Sequence, residues 1–203
     1  TGNGKFDGFI RGRDEPSVEL RTTVGLRNVV IGSVHPDEEK ACVEAIANCQ
    51  VRALIAPRYM KRVAPLEKRF LRRGESVARR SAGPSDARVM ILDTLGELAG
   101  AYGLAPTAII GGTFGKRGGQ NLFEAALHNR LIFHGPSTDN ILTEVECLTG
   151  HGAKQVGSFR EAFAYIAAFT GSESVQTESA IRTLGGATRK NLALLDTSIA
   201  NTI

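Results

Sequence analysis

Short apolar runs with no polar face, separated by stretches of helical periodicity, narrow most what this 203-residue chain can fold into. Asn28–Ser33, Val51–Ala56, Ser76–Arg79, Val89–Leu92, Thr107–Gly112, Arg130–Phe133 and Ala153–Val156 each read as a short strand. Helical patterns fall between and after them, over 36–49, 62–73, 95–104, 121–129, 138–149, 159–170, 173–184 and roughly 187–199. Strands apolar on both faces and alternating with helices belong to a parallel sheet covered on each side. The expectation is an α/β, doubly wound parallel sheet of about six strands. Its ligand should lie beyond the carboxyl ends of the strands, where loops meet helix starts. Residues 1–27, carrying Gly2, Gly4, Gly8 and Gly12 among charges, read as a linker from a preceding domain, and 28–203 as one domain. The start Thr1-Gly2-Asn3-Gly4-Lys5 has neither Met nor an apolar leader and reads as a cut inside a longer protein.

Composition excludes several classes. No run approaches the ~18 apolar residues of a membrane span. Cys42, Cys49 and Cys147 are odd in number and form no CxxC pair; Cys42 and Cys49, one heptad apart, read as buried thiols, and a reducing compartment fits better than an oxidising one. His35, His128, His134 and His151 are scattered, so no metal site is expected. With 25 basic against 21 acidic residues, the positive excess concentrates in one third of the chain, from Arg52 to Arg80. Such a cluster attracts anions. The run lacks the interleaved aromatics of single-strand binders, so nucleic acid is not the expected partner. Nucleotide phosphates, a carboxylated sugar and an anionic membrane surface explain the charge equally well, as does a solvated helix face for 61–73.

The unusual residues sit in the loops that should follow strands. Ser33-Val34-His35-Pro36-Asp37-Glu38-Glu39 offers a hydroxyl and an imidazole to an anion at a helix mouth, or is a simple cap with its acids answering the helix dipole; spacing alone favours the cap. In Ala56-Pro57-Arg58-Tyr59 the proline aims Arg58, either at a phosphate or carboxylate or merely into a basic surface. Thr94 with Glu97 makes a capping box, a complete structural explanation. The fourth loop, Gly111-Gly112-Thr113-Phe114-Gly115-Lys116-Arg117-Gly118-Gly119-Gln120-Asn121, is too rich in glycine to serve stability. Its glycines let backbone approach a ligand, Lys116 and Arg117 add charge, and the next helix, bearing Glu124, adds its positive end. A phosphate-binding loop is the natural reading, with a mobile surface loop as the alternative. Neither GxxxxGK[ST] nor GxGxxG is present, which weakens a Rossmann oxidoreductase.

Taken in order, these segments resemble the C-terminal domain of bacterial 3-deoxy-D-manno-octulosonic acid (Kdo) transferases. Thr1–Asp7 resembles TGNxKFD, Ser33–Glu39 resembles STHxxEE, and Pro57-Arg58 and Arg79-Arg80-Ser81 resemble PRH and RRS. Asp93–Leu98 with Tyr102 resembles DTxGEL…Y, and Gly111–Thr113 with Gly118–Glu124 resembles GGS…GGHNPLEP. Gly135-Pro136 and Asn140 resemble GPxxxNF. Gln120 stands where the family has His, Tyr59 follows Arg58 in place of His, and the family's prolines around Glu124 are missing.

The resemblance implies the Rossmann-like C-terminal half of a GT-B glycosyltransferase, which transfers Kdo from CMP-Kdo to a lipid A precursor. Transfer would be inverting, metal-independent and cofactor-free, in lipopolysaccharide biosynthesis at the cytoplasmic face of the inner membrane, where the protein is peripheral or anchored through the preceding part. By the same resemblance Arg58 and Gly111, Gly112 and Thr113 hold the cytidine nucleotide, with the Asn121 amide on phosphate oxygen. Glu124 holds the ribose, Ser33 and His35 face the cleft, and Lys5 lies near it. Thr94, Glu97, Lys116, Arg117 and Gln120 are further candidates. The general base is a carboxylate of the preceding domain, so no catalytic residue is expected here and the fragment alone should be inactive. Another GT-B nucleotide-sugar enzyme (a UDP-sugar transferase or epimerase) and a non-catalytic domain docking on anionic lipid or a partner are the alternatives.

Overall fold

The computed structural model describes residues 14–171 and 175–184. Seven parallel strands form one sheet: β1 (Val29–Val34), β2 (Ala53–Pro57), β3 (Val77–Arg79), β4 (Val89–Ile91), β5 (Thr107–Ile110), β6 (Leu131–His134) and β7 (Ala153–Gln155), in the order β3-β4-β2-β1-β5-β6-β7. All seven runs read as strands pair, including the two short edge ones: Val77 lies against Val89, and Ala153 against Ile132.

Alternation along the strands explains the two layers. Val29 and Ile31 of β1, with Ala53, Ile55, Val89, Ile91 and Ile109, point to one face. There they meet α2 (Glu39–Ala47), α3 (Val63–Leu71) and α7 (Phe159–Ala168) through Cys42, Ile46, Leu66, Phe70, Phe159 and Phe163. Val30, Leu54, Met90, Ala108 and Ile132 point the other way. They pack on α1 (Val18–Val24), α4 (Leu98–Ala101), α5 (Phe123–Ala126), α6 (Leu142–Leu148) and α8 (Thr177–Leu184) through Leu20, Val24, Phe123, Leu148 and Ile181. Burial of two apolar layers on one sheet supplies the main driving force for folding.

Several helices are shorter than periodicity predicts, each for a local reason. α2 begins at Glu39 because the Glu38 carboxylate turns back to accept from the His35 amide, 2.9 Å away. The capping box of Thr94 and Glu97 does not form, and α4 starts at Leu98 without a side-chain cap. The Glu97 carboxylate is instead taken by Arg80, at 2.8 and 3.2 Å, and by the Thr94 hydroxyl. α5 is a single turn: Asn121 Oδ1 accepts from the Phe123 amide at 2.8 Å, and Asn129 ends the segment with φ 57°. α1 falls inside the stretch read as a linker. Its Ser17 hydroxyl accepts from Leu20 N at 3.0 Å, and Leu20 and Val24 join the core. The helix expected near 187–199 lies outside the described residues. Among those residues, no helix is long and apolar enough to cross a membrane.

Candidate functional site

From β1 the chain proceeds to β2 on one side, yet from β4 it returns to β5 on the other. Where two neighbouring parallel strands send their loops in opposite directions, a crevice opens at their carboxyl ends, and ligands of doubly wound sheets enter there. The Ser33–Glu39 and Gly111–Asn121 segments form its two walls.

β1 ends irregularly. Its register with β2 shifts between Ile31 and Val34, and Ser33 takes φ 56°. A left-handed backbone without glycine costs roughly 1–2 kcal/mol, a strain that concentrates at functional sites. Gly111 allows β5 to close on this bend. A Cβ there would stand 2.5 Å from the Ser33 carbonyl oxygen and 2.8 Å from Val34 Cα.

His35 follows, only 4% exposed, and neither ring nitrogen has a hydrogen-bond partner among the described residues. Leaving such a group unpaired costs about 1–3 kcal/mol. Burial holds the imidazole below its ordinary 6.5; Glu38 and Asp37 oppose the shift, and Arg117 and Arg58 reinforce it. The Tyr59 ring packs on it edge-on at 5.7 Å.

β2 ends at Pro57, and the Arg58 amide donates to the Val34 carbonyl at 2.8 Å, bringing this loop alongside the crevice. The exposed Arg58 side chain acts electrostatically on both His35 and Glu124, so those three residues converge. Glu124 is half-buried on α5, and Asn121 Nδ2 donates to it at 3.4 Å. Burial raises its carboxyl, the Asn121 bond and Arg58 lower it, and Asp14 raises it. Tyr102 is buried, and its phenol is pushed up by burial first and by Glu124 second.

The glycine loop differs from the expected cradle of bare amides. Gly112 N donates to Glu38 Oε2 at 2.8 Å and Phe114 N to Glu38 Oε1 at 2.9 Å. Gly118 N donates to the Ser137 hydroxyl at 2.9 Å and Gly119 N to the Gly112 carbonyl at 3.0 Å. The Thr113 hydroxyl is buried, donating to the Ile110 carbonyl at 2.5 Å and accepting from Gly135 N at 2.8 Å. Asn140 Nδ2 donates to the Arg117 carbonyl at 2.9 Å. The loop is thus pinned from both sides. A one-turn α5 whose Phe123 amide is already taken adds little of the helix field expected from sequence.

Ser33, His35, Arg58, Gly111, Gly112, Thr113, Asn121 and Glu124 therefore come from three strand-end segments, after β1, β2 and β5, to one end of the sheet. Gln120 borders them, since a Cβ on Gly112 would lie 2.8 Å from Gln120 Cγ and 3.3 Å from His35 Cδ2. Lys116 and Arg117 are exposed on the outer loop, where Arg117 pairs with Asp37 at 3.6 Å. Thr94 and Glu97 belong to a separate network after β4, in which Arg80 holds Glu97 and Asp93 accepts from Ser81 N at 2.9 Å and from its hydroxyl at 2.5 Å. Lys5 lies outside the described residues. Glu38 and Ser137, which sequence reasoning left out, organise the loop; three consecutive acids after Pro36, more than a helix dipole needs, were the available signal for Glu38.

A groove of about 600 Å³ lies elsewhere, between α2 and α7, lined by Ala41, Ala45, Phe159 and Phe163 among others. It lies off the strand-end rim, so the crevice has the stronger chemical claim. Among the described residues no group of three His, Cys, Asp or Glu side chains could hold a metal ion.

A parallel doubly wound sheet with its polar loops gathered at the central switch point has the Rossmann-like fold of a GT-B C-terminal domain. By sequence the chain matches 3-deoxy-D-manno-octulosonic acid transferases, and by fold it matches the C-terminal domain of one of them. It is 32% identical over 158 residues to the 3-deoxy-D-manno-octulosonic acid transferase of Bordetella pertussis, covering 69% of this chain and 36% of that protein. To the enzyme of the same name from Chlamydia trachomatis serovar A it is 29% identical over 130 residues, covering 61% and 30%. The chain thus spans about a third of the length of these relatives. Its fold matches the crystal structure of the C-terminal CMP-Kdo binding domain of WaaA from Acinetobacter baumannii with a TM-score of 0.70 at 21% identity, over 90% of this chain and 98% of that one. The Anabaena protein HepE, crystallised with UDP, matches with a TM-score of 0.55 at 15% identity, over 88% and 49%. No family model matches the chain.

Proposed function

We propose that this chain binds CMP-Kdo at the β1/β5 switch point and is the donor lobe of an inverting, metal-independent Kdo transferase. The acceptor is a lipid A precursor, and the enzyme works as a peripheral protein at the cytoplasmic face of the inner membrane. The carrying observation is His35, a buried imidazole with two unpartnered nitrogens at the crevice shared by Arg58 and the glycine loop. A group held in that state gains its missing hydrogen bonds when a polar ligand arrives.

In this reading Arg58 takes the phosphate of the nucleotide, as a guanidinium suits a phosphate fork. Glu124, on the far side of Arg58's field, accepts from the ribose hydroxyls. Neutral His35 and the Ser33 hydroxyl face the sugar, and the Asn121 amide lies at the phosphate end. The bond between the anomeric carbon and the phosphate oxygen breaks, CMP leaves as a phosphate monoester, and an acceptor hydroxyl bonds to that carbon. Fixed cationic and N–H groups stabilise the negative charge growing on the leaving oxygen. The acceptor proton goes to a carboxylate supplied by the preceding lobe. In this reading the crevice is half of a two-lobed site, the other lobe supplying that carboxylate.

Calorimetric titration with CMP and with UDP tests the assignment. Binding of CMP in preference to UDP is expected. Tight UDP binding without CMP binding would redirect the chain to another nucleotide-sugar enzyme, and Kdo transfer by this chain alone would refute the external base.

A further inference from the structure

The best-satisfied carboxylate of the crevice belongs to a residue with no place in the donor contacts above. Glu38 is 3% exposed and accepts three backbone N–H bonds: from His35 at 2.9 Å, from Gly112 at 2.8 Å and from Phe114 at 2.9 Å. The first comes from the loop after β1, and the other two from the loop after β5, 74 and 76 residues further on. One carboxylate thus bridges the two walls of the crevice, its oxygens accepting amide N–H bonds of the kind that a carboxylate strengthens. Around it, Asp37 pairs with Arg117, and Gly111 N donates to the Gly32 carbonyl at 2.8 Å.

Two consequences follow from geometry. The amides of Gly112 and Phe114 are the leading donors of the glycine loop, and a carboxylate already occupies the position a phosphate oxygen would take between them. The front of the loop is therefore scaffold rather than anion cradle. Gly112 is also a hinge: its amide is held by Glu38, its carbonyl accepts from Gly119 at 3.0 Å, and its φ is 74°. Whatever holds Gly112 holds the return of the loop at Gly119, and with it the approach to Asn121 and Glu124.

We infer that Glu38 is a positioning residue that clamps the β1 and β5 loops so that the nucleotide meets a pre-built crevice, and that the phosphate is read by side chains rather than by the loop's first amides. The inference rests on the nucleotide reading of this crevice. A preorganised site binds more tightly because ordering is not charged to binding.

The test uses this chain with Glu38→Ala and Glu38→Gln. The first empties the clamp; the second keeps the volume and one acceptor oxygen and serves if the first fails to fold. Amide hydrogen exchange is followed at Gly112, Phe114 and Gly119, and CMP affinity is measured by calorimetry with and without sodium formate. We expect faster exchange at Gly119, whose own acceptor is untouched, and CMP affinity weaker by about tenfold or more, the equivalent of one charge-assisted bond. Formate, a carboxylate able to refill the nest of Glu38→Ala, should recover part of that affinity. Wild-type exchange at Gly119 in both variants overturns the clamp, and unchanged CMP affinity in a folded variant overturns its bearing on binding. A wild-type chain that ignores CMP sinks the nucleotide reading, whereas the exchange result still decides the clamp.

Discussion

Replacing Gly112 by alanine and Gly74 by alanine separates two costs that usually arrive together. Both glycines have a positive φ of nearly the same size, 74° and 75°. An alanine at either position therefore meets the same backbone penalty, roughly 1–2 kcal/mol. Their surroundings differ. A Cβ on Gly74 finds nothing within 4 Å, while one on Gly112 meets Gln120 Cγ at 2.8 Å and His35 Cδ2 at 3.3 Å. The Gln120 side chain can give way, but only by moving within the crevice, and displacing packed groups adds about 1–3 kcal/mol. Gly112→Ala should therefore exceed Gly74→Ala by about 1–3 kcal/mol in urea unfolding. At roughly 2–4 °C of melting temperature per kcal/mol for a chain of this size, a thermal melt resolves the difference. Gly74→Ala should leave CMP binding at the wild-type level, and Gly112→Ala should weaken it. Equal destabilisation by the two, or an equal loss of affinity, would show that the space around Gly112 is not the space the nucleotide uses.

Arg58→Ala should lower CMP affinity by roughly 10- to 100-fold, as expected for a lost charged hydrogen bond, while the melting temperature hardly moves because the side chain is exposed. Glu124 titrates higher in the fold than in the open chain, so its favourable contribution is complete at low pH and is lost as pH rises through its folded value. Glu124→Gln should then melt at or above wild type at neutral pH, the gap closing below the ordinary carboxylate range near 4.5, with weaker CMP binding throughout. His35 moves the other way: its depressed value makes stability complete above 6.5 and lost as pH falls through the folded value, and NMR titration of the free chain should place its midpoint below 6.5. Arg80→Ala strands the half-buried Glu97 carboxylate and should cost about 1–3 kcal/mol in chemical denaturation, with CMP binding intact.

The central strands were readable because a sheet buried on both faces makes their runs almost wholly apolar, and the loops were readable because glycine, proline and arginine collect where strands end. What was not readable depends on partners distant in the chain. Glu38 follows Pro36 and Asp37 like any acid answering a helix dipole, and only folding brings Gly112 and Phe114 against it. Thr94 and Glu97 have capping-box spacing, yet Arg80, arriving from the end of β3, wins the carboxylate. The segment read as a linker holds α1 because Ser17 caps Leu20 and both Leu20 and Val24 find the core, whereas its leading glycines drew the eye to flexibility.

The same long-range pairing changes what the positive charge means. Read linearly, the arginines from Arg52 to Arg80 form an undifferentiated basic band. In the fold Arg62 and Arg69 both reach the buried Glu39, Arg73 reaches Glu44, Arg79 reaches Glu67, and Arg80 bridges Glu97 and Glu19. Those cations are paired with acids on neighbouring elements, which lowers the positive charge the band presents to an approaching anion. Among the described residues, Arg58, Lys61 and Lys116 remain near the crevice without an ion-pair partner, and of these Arg58 is the one whose field reaches both His35 and Glu124. In the proposed reading a small anion is met at one point, by Arg58, rather than along a basic face. Raising the salt concentration should accordingly weaken CMP binding with the shallow dependence of one or two charges, far from the steep dependence of a polyanion track.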